Sequence, residues 1–167
     1  MSFQICFTNA LGAFCAIFSR RGLVRLAWER KAARDVVSLP ASEIPRASSR
    51  SAWARLLEED LRQYAGGERV RFIVPIDWSA GTPFQRRVRR ALLGVPWGEG
   101  VTYGDLASRI GRPGAARAVG AACKANPIPI VVPCHRVLAS GLRLGGYGGG
   151  LERKRRLLDL EGIPWRP

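Results

Sequence analysis

The hydrophobic pattern of this chain changes near Asp77, and this change limits the folds that it can adopt. Before Asp77, short runs rich in β-branched and aromatic residues, such as FQICFTNA and AFCAIFSR, are typical of strands. After Asp77, apolar residues recur at helical spacing in one segment after another. We therefore predict an α+β protein, with a small N-terminal sheet-and-helix domain over residues 1–76 and a mostly helical C-terminal domain over residues 77–167.

The N-terminal domain is predicted to hold a small antiparallel sheet, one helix and a further short strand. Gly22 separates the second strand from LVRLAWE (23–29), and RVRFIVPI (69–76) has the composition of another strand. After a Pro- and Ser-rich loop (40–51), apolar residues recur at helical spacing until the glycine pair at 66–67. The recurring residues are Trp53, Leu56, Leu57, Leu61 and Tyr64.

Basic residues greatly outnumber acidic ones. The 167-residue chain has 27 Lys and Arg against 13 Asp and Glu, a formal net charge of +14, whereas its hydrophobic share of 47% is ordinary. This hydrophobic share excludes a disordered chain, and the charge indicates a polyanion such as nucleic acid as partner. Because no apolar run is long enough to span a membrane and the N-terminus lacks a signal-peptide pattern, we expect a soluble, cytoplasmic protein.

Four cysteines and a single histidine restrict the available chemistry. The cysteines form no CxxC pair and no second histidine accompanies them, so we expect no metal site. Cys6 and Cys15 could meet if their segments pair as neighbouring strands. Cysteines in a reducing cytosol are more often free core thiols, so the sequence leaves open whether these two pair.

Two helix starts can be recognised in the C-terminal domain. Thr82, Pro83 and Gln85 supply an N-cap, a proline at the first helical position and a capping-box partner. Thr102 caps a second, short helix, and Gly111 lies just past its end.

A third helix, residues 115–124, follows the short helix after a glycine-containing turn, which is typical of a helix-turn-helix. Many such helix pairs bind nothing. Here the side chains are nearly all small, so the helix backbone could enter a narrow groove, with Arg117 extending further in. Tight packing of this helix on the core would also explain the alanines, but it would leave Arg117 without a role.

Three prolines exclude a helix in PIPIVVPCHR (127–136), so we predict an extended, buried segment that fixes the position of Cys134. Burial would raise the pKa of this thiol, and a nucleophile here therefore needs a base. In an extended segment His135 would point away from Cys134, which favours contact through a water molecule. A carboxylate must then orient the histidine, and the sequence leaves four candidates: Glu161, Asp159, Glu152 and Asp105. A buried core cysteine beside a structural histidine is the alternative interpretation.

NPIPIVVPCHRV (126–137) resembles the active-site signature of the O6-alkylguanine-DNA alkyltransferases, which remove alkyl groups from guanine O6 in DNA. The resemblance continues through GTPFQRRV (81–88), VTYGDLA (101–107), AARAVGAA (115–122) and GGYGGGLERKRRLLDLEG (145–162). It implies DNA repair without a cofactor, by a single transfer of the alkyl group to the protein's own cysteine after base flipping. It also implies a monomer that binds double-stranded DNA in the minor groove, and a ribonuclease-H-like N-terminal domain.

The resemblance also implies roles for individual residues around the reacting carbon. Cys134 would be the acceptor thiolate, His135 the base acting through water, and Glu161 the carboxylate that orients the histidine. Tyr103 would move the adjacent phosphate to drive flipping and donate a proton to the departing guanine, and Asn126 would brace the turn before the active-site segment. We interpret the neighbouring Arg136 as half of a structural ion pair.

On the DNA side, Arg117 would enter the base stack in place of the flipped nucleotide, and the other residues implied at the DNA are Tyr103, Ala115, Ala116 and Gly120. The residues implied around the substrate base are Tyr147, Gly148, Val137 and Pro129. Family members often carry serine where this chain has Gly148, so the backbone N–H is retained here and a hydroxyl is lost.

Two other functions fit part of this pattern. A lesion sensor would flip alkylguanine without repairing it, but relatives of that kind lack the cysteine that this chain has at position 134. A hydrolase using Cys134, His135 and a carboxylate would leave the helix-turn-helix and the positive charge unused. Alkyl transfer accounts for the cysteine, the helix pair and the charge together.

Overall fold

The computed structural model describes residues 2–28, 37–38 and 49–167. The chain divides into two compact units, Met1–Ala80 and Gly81–Pro167. Within the described residues there are five α-helices and two small sheets, so the predicted α+β class is confirmed. None of the helices described is both long and apolar enough to cross a membrane.

The first unit contains a four-stranded sheet in the order β3-β2-β1-β4. Its strands are β1 (Phe3–Asn9), β2 (Gly12–Phe18), β3 (Leu23–Ala27) and the short β4 (Val37–Ser38). The first three pair antiparallel, as predicted, whereas β4 adds a parallel edge beside β1. Part of LVRLAWE and most of the Pro- and Ser-rich loop lie outside the described residues.

One helix, α1 (Ser49–Ala65), lies against β1. The helical spacing in the sequence arises because Leu57, Leu61 and Tyr64 form the fully buried side of this helix. The side-chain amide of Asn9 donates a hydrogen bond to the Leu61 carbonyl at 3.1 Å, which joins the end of β1 to the helix. The predicted helix is therefore confirmed.

The strand predicted over residues 69–76 is wrong. In the described structure this segment makes one isolated bridge, where Leu23 N–H donates to the Pro75 carbonyl at 2.7 Å and Asp77 N–H donates to the Leu23 carbonyl at 2.9 Å. Pro75 has no N–H to extend a ladder, so the composition of the segment does not produce a strand. Gly22 permits the close approach, because a Cβ there would lie 2.2 Å from the Pro75 oxygen.

Of the two possibilities that the sequence left open for Cys6 and Cys15, the structure has the paired one, because the two residues form a disulfide. The antiparallel register of β1 and β2 sets the two residues directly opposite each other, with their Cα atoms 4.2 Å apart. Such a short separation is typical of non-hydrogen-bonded pairs, whose side chains lie close together. The strand pairing itself therefore brings the two sulfur atoms together.

The second unit contains four helices, α2 (Pro83–Leu92), α3 (Tyr103–Arg109), α4 (Ala116–Lys124) and α5 (Leu151–Leu160). Both predicted N-caps are present, and each belongs to a capping box. Gln85 N–H donates to Thr82 Oγ1 at 3.2 Å while the Thr82 N–H donates to the Gln85 side chain at 2.9 Å. The Thr102 and Asp105 pair caps α3 in the same way.

The candidate site is positioned by a two-stranded parallel sheet, which the sequence pattern did not reveal. Its strands are β5 (Val101–Thr102), which leads directly into α3, and β6 (Val137–Leu138), which directly follows the Cys134–Arg136 turn. The pairing of β5 with β6 therefore fixes Tyr103, the first residue of α3, relative to Cys134. Leu138 of β6 also belongs to a core cluster of buried side chains, whose other members are Leu144, Leu158 and Ile163.

Candidate functional site

The segment that precedes Cys134 is buried as predicted, but it is folded into turns rather than extended. Val132 N–H donates to the Ile128 carbonyl at 2.9 Å, and Ile130 has a φ of 71°, which is unusual for a β-branched residue. The prolines exclude a helix, yet they do not prevent a chain reversal. Cys134–Arg136 then form a single 3₁₀ turn, so the predicted opposite orientation of two extended neighbours does not apply.

Asn126 holds the turns and the cysteine together. Its side-chain NH₂ lies 2.8 Å from the Val132 carbonyl and 3.1 Å from Cys134 Sγ, while its side-chain oxygen accepts from Ile128 N–H at 3.1 Å. Its own N–H donates to the Cys123 carbonyl at 3.1 Å. One side chain therefore links the end of α4, the turn segment and the thiol.

Cys134 is almost completely removed from solvent, with 5% of its surface exposed. Burial raises the pKa of its thiol to about 11, although the hydrogen bond from Asn126 and the charge of Lys154 act in the opposite direction. The sulfur is therefore protonated at neutral pH in this state. A base is needed before this cysteine can act as a nucleophile, as the sequence argument required.

His135 contacts one of the four carboxylates that the sequence left open. Its Nε2 lies 2.8 Å from Glu161 Oε1, and both side chains are fully buried. The other three carboxylates lie elsewhere: Asp105 caps α3, Asp159 accepts from the Trp165 indole at 2.7 Å, and Glu152 is exposed in the first turn of α5.

Arg136 completes a buried ionic cluster with the same carboxylate. Its Nε donates to Glu161 Oε2 at 2.7 Å and its Nη2 to Oε1 at 3.0 Å, while Nη1 donates to the Val95 carbonyl at 2.5 Å. The ion-pair interpretation of Arg136 is therefore confirmed. This bidentate geometry fixes the carboxylate that in turn holds His135.

The protonation states in this cluster follow from burial and from the charged partners of each group. Burial disfavours the ionised carboxylate of Glu161, but the hydrogen bonds and charges of His135 and Arg136 together outweigh it and hold the pKa at about 2. Burial lowers the pKa of His135, although Glu161 opposes that shift. At neutral pH the imidazole is therefore neutral beside an ionised carboxylate, which is the state that a general base requires.

Tyr103 is held between two glycines. A Cβ at Gly120 on α4 would lie 3.7 Å from the Tyr103 ring, and one at Gly145 would lie 3.1 Å from it. The phenol donates a hydrogen bond to the Gly146 carbonyl at 3.2 Å. Burial, followed by the charge of a Cys123 thiolate, raises the pKa of Tyr103, so its hydroxyl stays protonated and can donate.

A cavity of about 620 Å³ opens beside Cys134. The site residues from the sequence that line it are Tyr103, Ala116, Arg117, Gly120, Cys134 and Tyr147. The described residues that line it do not include four other predicted site residues: Ala115, Gly148, Val137 and Pro129. Val137 is instead buried in β6, and His135 and Glu161 lie fully buried without lining the cavity.

Gly148 approaches the end of α4 too closely for a side chain. A Cβ at this position would lie 2.9 Å from the Lys124 carbonyl oxygen, which is too close unless the backbone of the loop or of α4 shifts. The absence of a side chain at Gly148 therefore permits this close approach of the loop to α4.

Lys154 is a site residue that the sequence reasoning missed. It is fully buried, and its ammonium donates to the carbonyls of Val137 at 2.6 Å, Gly146 at 3.2 Å and Leu144. Burial lowers its pKa to about 8, although the thiolates of Cys134 and Cys123 would raise it. The basic run ERKRR suggests an exposed lysine, but its spacing of three and four residues from the buried Leu157 and Leu158 places it on the inner face of α5.

The cavity also contains a second thiol, that of Cys123 at the end of α4. Burial raises its pKa to about 12, and the charge of a Cys134 thiolate acts in the same direction. The described residues include no group of three or more His, Cys, Asp and Glu side chains arranged to hold a metal ion.

Sequence comparisons agree with the architecture of the second unit. A family model described as "6-O-methylguanine DNA methyltransferase, DNA binding domain" matches residues 83–163. A methylated-DNA–protein-cysteine methyltransferase of Mycobacterium tuberculosis is 54% identical over 103 residues, which cover 62% of this chain and 62% of that protein. One of Salmonella typhimurium is 60% identical over 84 residues, covering 50% of this chain and 49% of that protein. The matched sequence thus spans only about half to three fifths of these relatives.

Solved structures extend the similarity over nearly the whole chain. The crystal structure of Mycobacterium tuberculosis O6-methylguanine methyltransferase is 38% identical, has a TM-score of 0.81, and covers 97% of this chain and 93% of that chain. A structure of Mycobacterium tuberculosis OGT in complex with DNA has the same identity and TM-score, and covers 97% of this chain and 95% of that chain.

Proposed function

We propose that this chain, which belongs to the methylated-DNA–protein-cysteine methyltransferase family, repairs O6-alkylguanine in DNA by transferring the alkyl group to its own Cys134. The observation that carries this proposal is the position of Cys134. Cys134 lines a cavity of about 620 Å³, and Asn126 holds its sulfur. His135, the next residue in the chain, is paired with the buried Glu161.

The transfer is a displacement at a saturated carbon. The bond between Cys134 Sγ and the alkyl carbon forms as the bond from that carbon to guanine O6 breaks, and guanine leaves. Because Nε2 of His135 faces Glu161, the thiol proton would reach the Nδ1 edge through a water molecule. Glu161 then stabilises the imidazolium, and Tyr103 supplies a proton to the departing base.

Each molecule would act once. The product is a thioether, and the residues around Cys134 include no arrangement for breaking a carbon–sulfur bond, so the alkylated cysteine cannot return to a thiol. The reaction needs no cofactor, because the thiolate itself is the nucleophile. The protein is then a stoichiometric reagent for its lesion.

The DNA would bind at α3 and α4, which we propose to act as a helix-turn-helix in the minor groove. Arg117, Ala118 and Ala121 on α4 are exposed, which the alternative of tight core packing does not explain. The second unit also carries fifteen Lys and Arg against five Asp and Glu, so most of the net positive charge lies in it. Base flipping would bring the damaged guanine into the cavity, since Cys134 is too buried to meet a stacked base.

We assign a supporting role to the first unit. A sheet with one helix against it fits a ribonuclease-H-like domain, and none of the residues that line the cavity belongs to this part of the described chain. A monomer would suffice, because all the side chains used in the proposed chemistry come from residues 103–161 of one chain.

Mass spectrometry after incubation with a duplex that contains one O6-methylguanine tests the proposed function. Tryptic cleavage after Lys124 and Arg136 isolates Cys134 on the peptide ANPIPIVVPCHR (125–136). We expect this peptide to gain one methylene group per molecule, and to gain nothing with an undamaged duplex. If the protein binds the lesion and no peptide gains mass, the protein is a lesion sensor instead.

Arg117→Ala is expected to slow methyl transfer from duplex DNA far more than reaction with free O6-benzylguanine. The flipped state costs a few kcal/mol, so losing the residue that fills the base stack should slow duplex repair on the order of 10- to 100-fold. Arg71→Ala removes the same charge from an exposed position of the first unit and is the control. An equal loss of rate on both substrates would contradict the proposed role of Arg117 in the base stack.

Binding to undamaged duplex is expected to weaken steeply as salt rises, because contacts to phosphates release counterions. Arg112, exposed in the turn between α3 and α4, is a candidate phosphate contact. Arg112→Ala should reduce the slope of log affinity against log salt by about one, whereas Arg71→Ala should leave it unchanged. Affinity measured over a salt series checks both variants, and a flat dependence in the native protein would rule out this surface.

A further inference from the structure

The cavity contains two thiols, and the proposed alkyl transfer uses only one of them. Cys123 in the last turn of α4 and Cys134 in the 3₁₀ turn both line it, with 6% and 5% of their surfaces exposed. They are the two free cysteines of the described structure, since Cys6 and Cys15 are joined to each other. A reagent small enough to enter the cavity therefore comes next to both cysteine residues.

One residue bridges the two cysteines. The N–H of Asn126 donates to the Cys123 carbonyl at 3.1 Å, and its side chain lies 3.1 Å from Cys134 Sγ. The two thiols also influence each other electrostatically, because the charge of a Cys134 thiolate raises the pKa of Cys123 in addition to the larger effect of burial. The Lys154 ammonium acts on both in the opposite direction and lowers the pKa of each thiol.

We propose that Cys123 is a resolving thiol, which condenses with Cys134 when hydrogen peroxide oxidises that residue and so forms a reducible Cys123–Cys134 disulfide. In the first step the Cys134 thiolate attacks peroxide, an S–O bond forms, the O–O bond breaks, and protonation gives a sulfenic acid and water. In the second step Cys123 attacks that sulfur, an S–S bond forms, and the S–O bond breaks to release water. The two thiols thus supply the two electrons that reduce one peroxide to two waters.

The disulfide preserves the acceptor cysteine. A sulfenic acid without a nearby thiol proceeds to sulfinic and sulfonic acids, which thiol reductants do not reverse, whereas a disulfide is reduced back to two thiols. This protective value depends on the proposed role of Cys134 as the single acceptor. The formation of the disulfide does not depend on that role.

Tryptic cleavage makes the linkage directly observable in the native chain. Lys124 separates AVGAACK (118–124), which contains Cys123, from ANPIPIVVPCHR (125–136), which contains Cys134. The Cys6–Cys15 disulfide stays inside one peptide, residues 1–20, and cannot be confused with the new link. After peroxide treatment and alkylation of the remaining thiols, we expect peptides 118–124 and 125–136 to be joined, and dithiothreitol to separate them.

Cys123→Ser is the matched variant, because it keeps the size of the side chain and removes the resolving sulfur. With this variant we expect dimedone to label the 125–136 peptide, and prolonged peroxide to add two or three oxygens that dithiothreitol does not remove. Unlinked peptides in the native protein, with Cys134 oxidised as far as in the variant, would overturn the proposal. A Cys6→Ser/Cys15→Ser double variant should still form the link, and its failure to do so would show that the link arises by exchange from the sheet.

A separate measurement distinguishes failure of this proposal from failure of the proposed function. Native protein and Cys123→Ser are oxidised, reduced with dithiothreitol, and assayed for methyl uptake, each relative to its own unoxidised sample. We expect most of the uptake to return in the native protein and little to return in the variant. Absence of uptake in the unoxidised native protein would reject alkyl transfer while leaving the peptide linkage as an independent result.

Discussion

Cys134→Ser is expected to abolish methyl uptake from O6-methylguanine DNA while leaving the fold and lesion binding in place. Serine is nearly the same size, and its oxygen can accept the hydrogen bond that Asn126 directs at Cys134 Sγ. The substitution therefore preserves the turn and removes only the thiolate chemistry. A serine hydroxyl is a weak nucleophile at its ordinary pKa, and displacement at a saturated carbon requires a better one.

The measurement is the number of methylene groups gained per molecule, by intact mass, together with lesion affinity in the same solution. Cys6→Ser makes the same substitution in the first unit and should retain methyl uptake, since Cys6 belongs to the sheet rather than to the cavity. Methyl uptake that persists in Cys134→Ser on any other residue would identify a different acceptor. Loss of lesion affinity together with uptake would indicate that the variant has lost the cavity itself.

Local rules predicted the helix ends well because each rule is satisfied within a few residues. The capping boxes at Thr82 and Thr102 need only a partner three positions along the chain, and both formed. The strand predicted over residues 69–76 failed because Pro75 interrupts a ladder whose existence depends on a partner strand. The disulfide between Cys6 and Cys15 likewise depended on strand register, which composition does not determine.

The candidate site shows the same boundary between local and long-range information. Three prolines correctly exclude a helix before Cys134, but they do not choose between an extended segment and a series of turns. Spacing alone left four carboxylates open for His135, because Glu161 lies 26 residues away and reaches it only through the position of α5. Lys154 was missed because its neighbours in the sequence are exposed arginines, whereas its own helical face is apolar.

Glu161→Ala is expected to cost about 3–5 kcal/mol of unfolding free energy, the range for removing one partner of a buried ion pair. Alanine would leave the Arg136 guanidinium, 8% exposed, without the carboxylate that accepts two of its hydrogen bonds. It would also remove the group that orients His135. Glu152→Ala is the matched control, because Glu152 is exposed on α5 and its loss should change stability by less than about 0.5 kcal/mol.

The pH dependence of stability separates a structural loss from a loss of this charge cluster. The Glu161 pKa falls from 4.5 to about 2 on folding, so its ionised form contributes stability above pH 4.5, and this contribution of about 3 kcal/mol is lost as pH falls toward 2. Burial also lowers the pKa of His135, so the unfolded chain takes up a proton first, and stability falls as pH drops below 6.5.

Glu161→Gln removes the first of these two effects and leaves the second in place, because burial lowers the pKa of His135 and Glu161 only opposes that shift. Urea denaturation of the native protein should show stability falling through both pH ranges, whereas the glutamine variant should lose stability mainly as pH drops below 6.5, with a smaller change below 4.5. Equal acid sensitivity in the two proteins below pH 4.5 would mean that other carboxylates dominate. If the variant also loses methyl uptake at a pH where it remains folded, the carboxylate acts on the chemistry through His135 as well as on the fold.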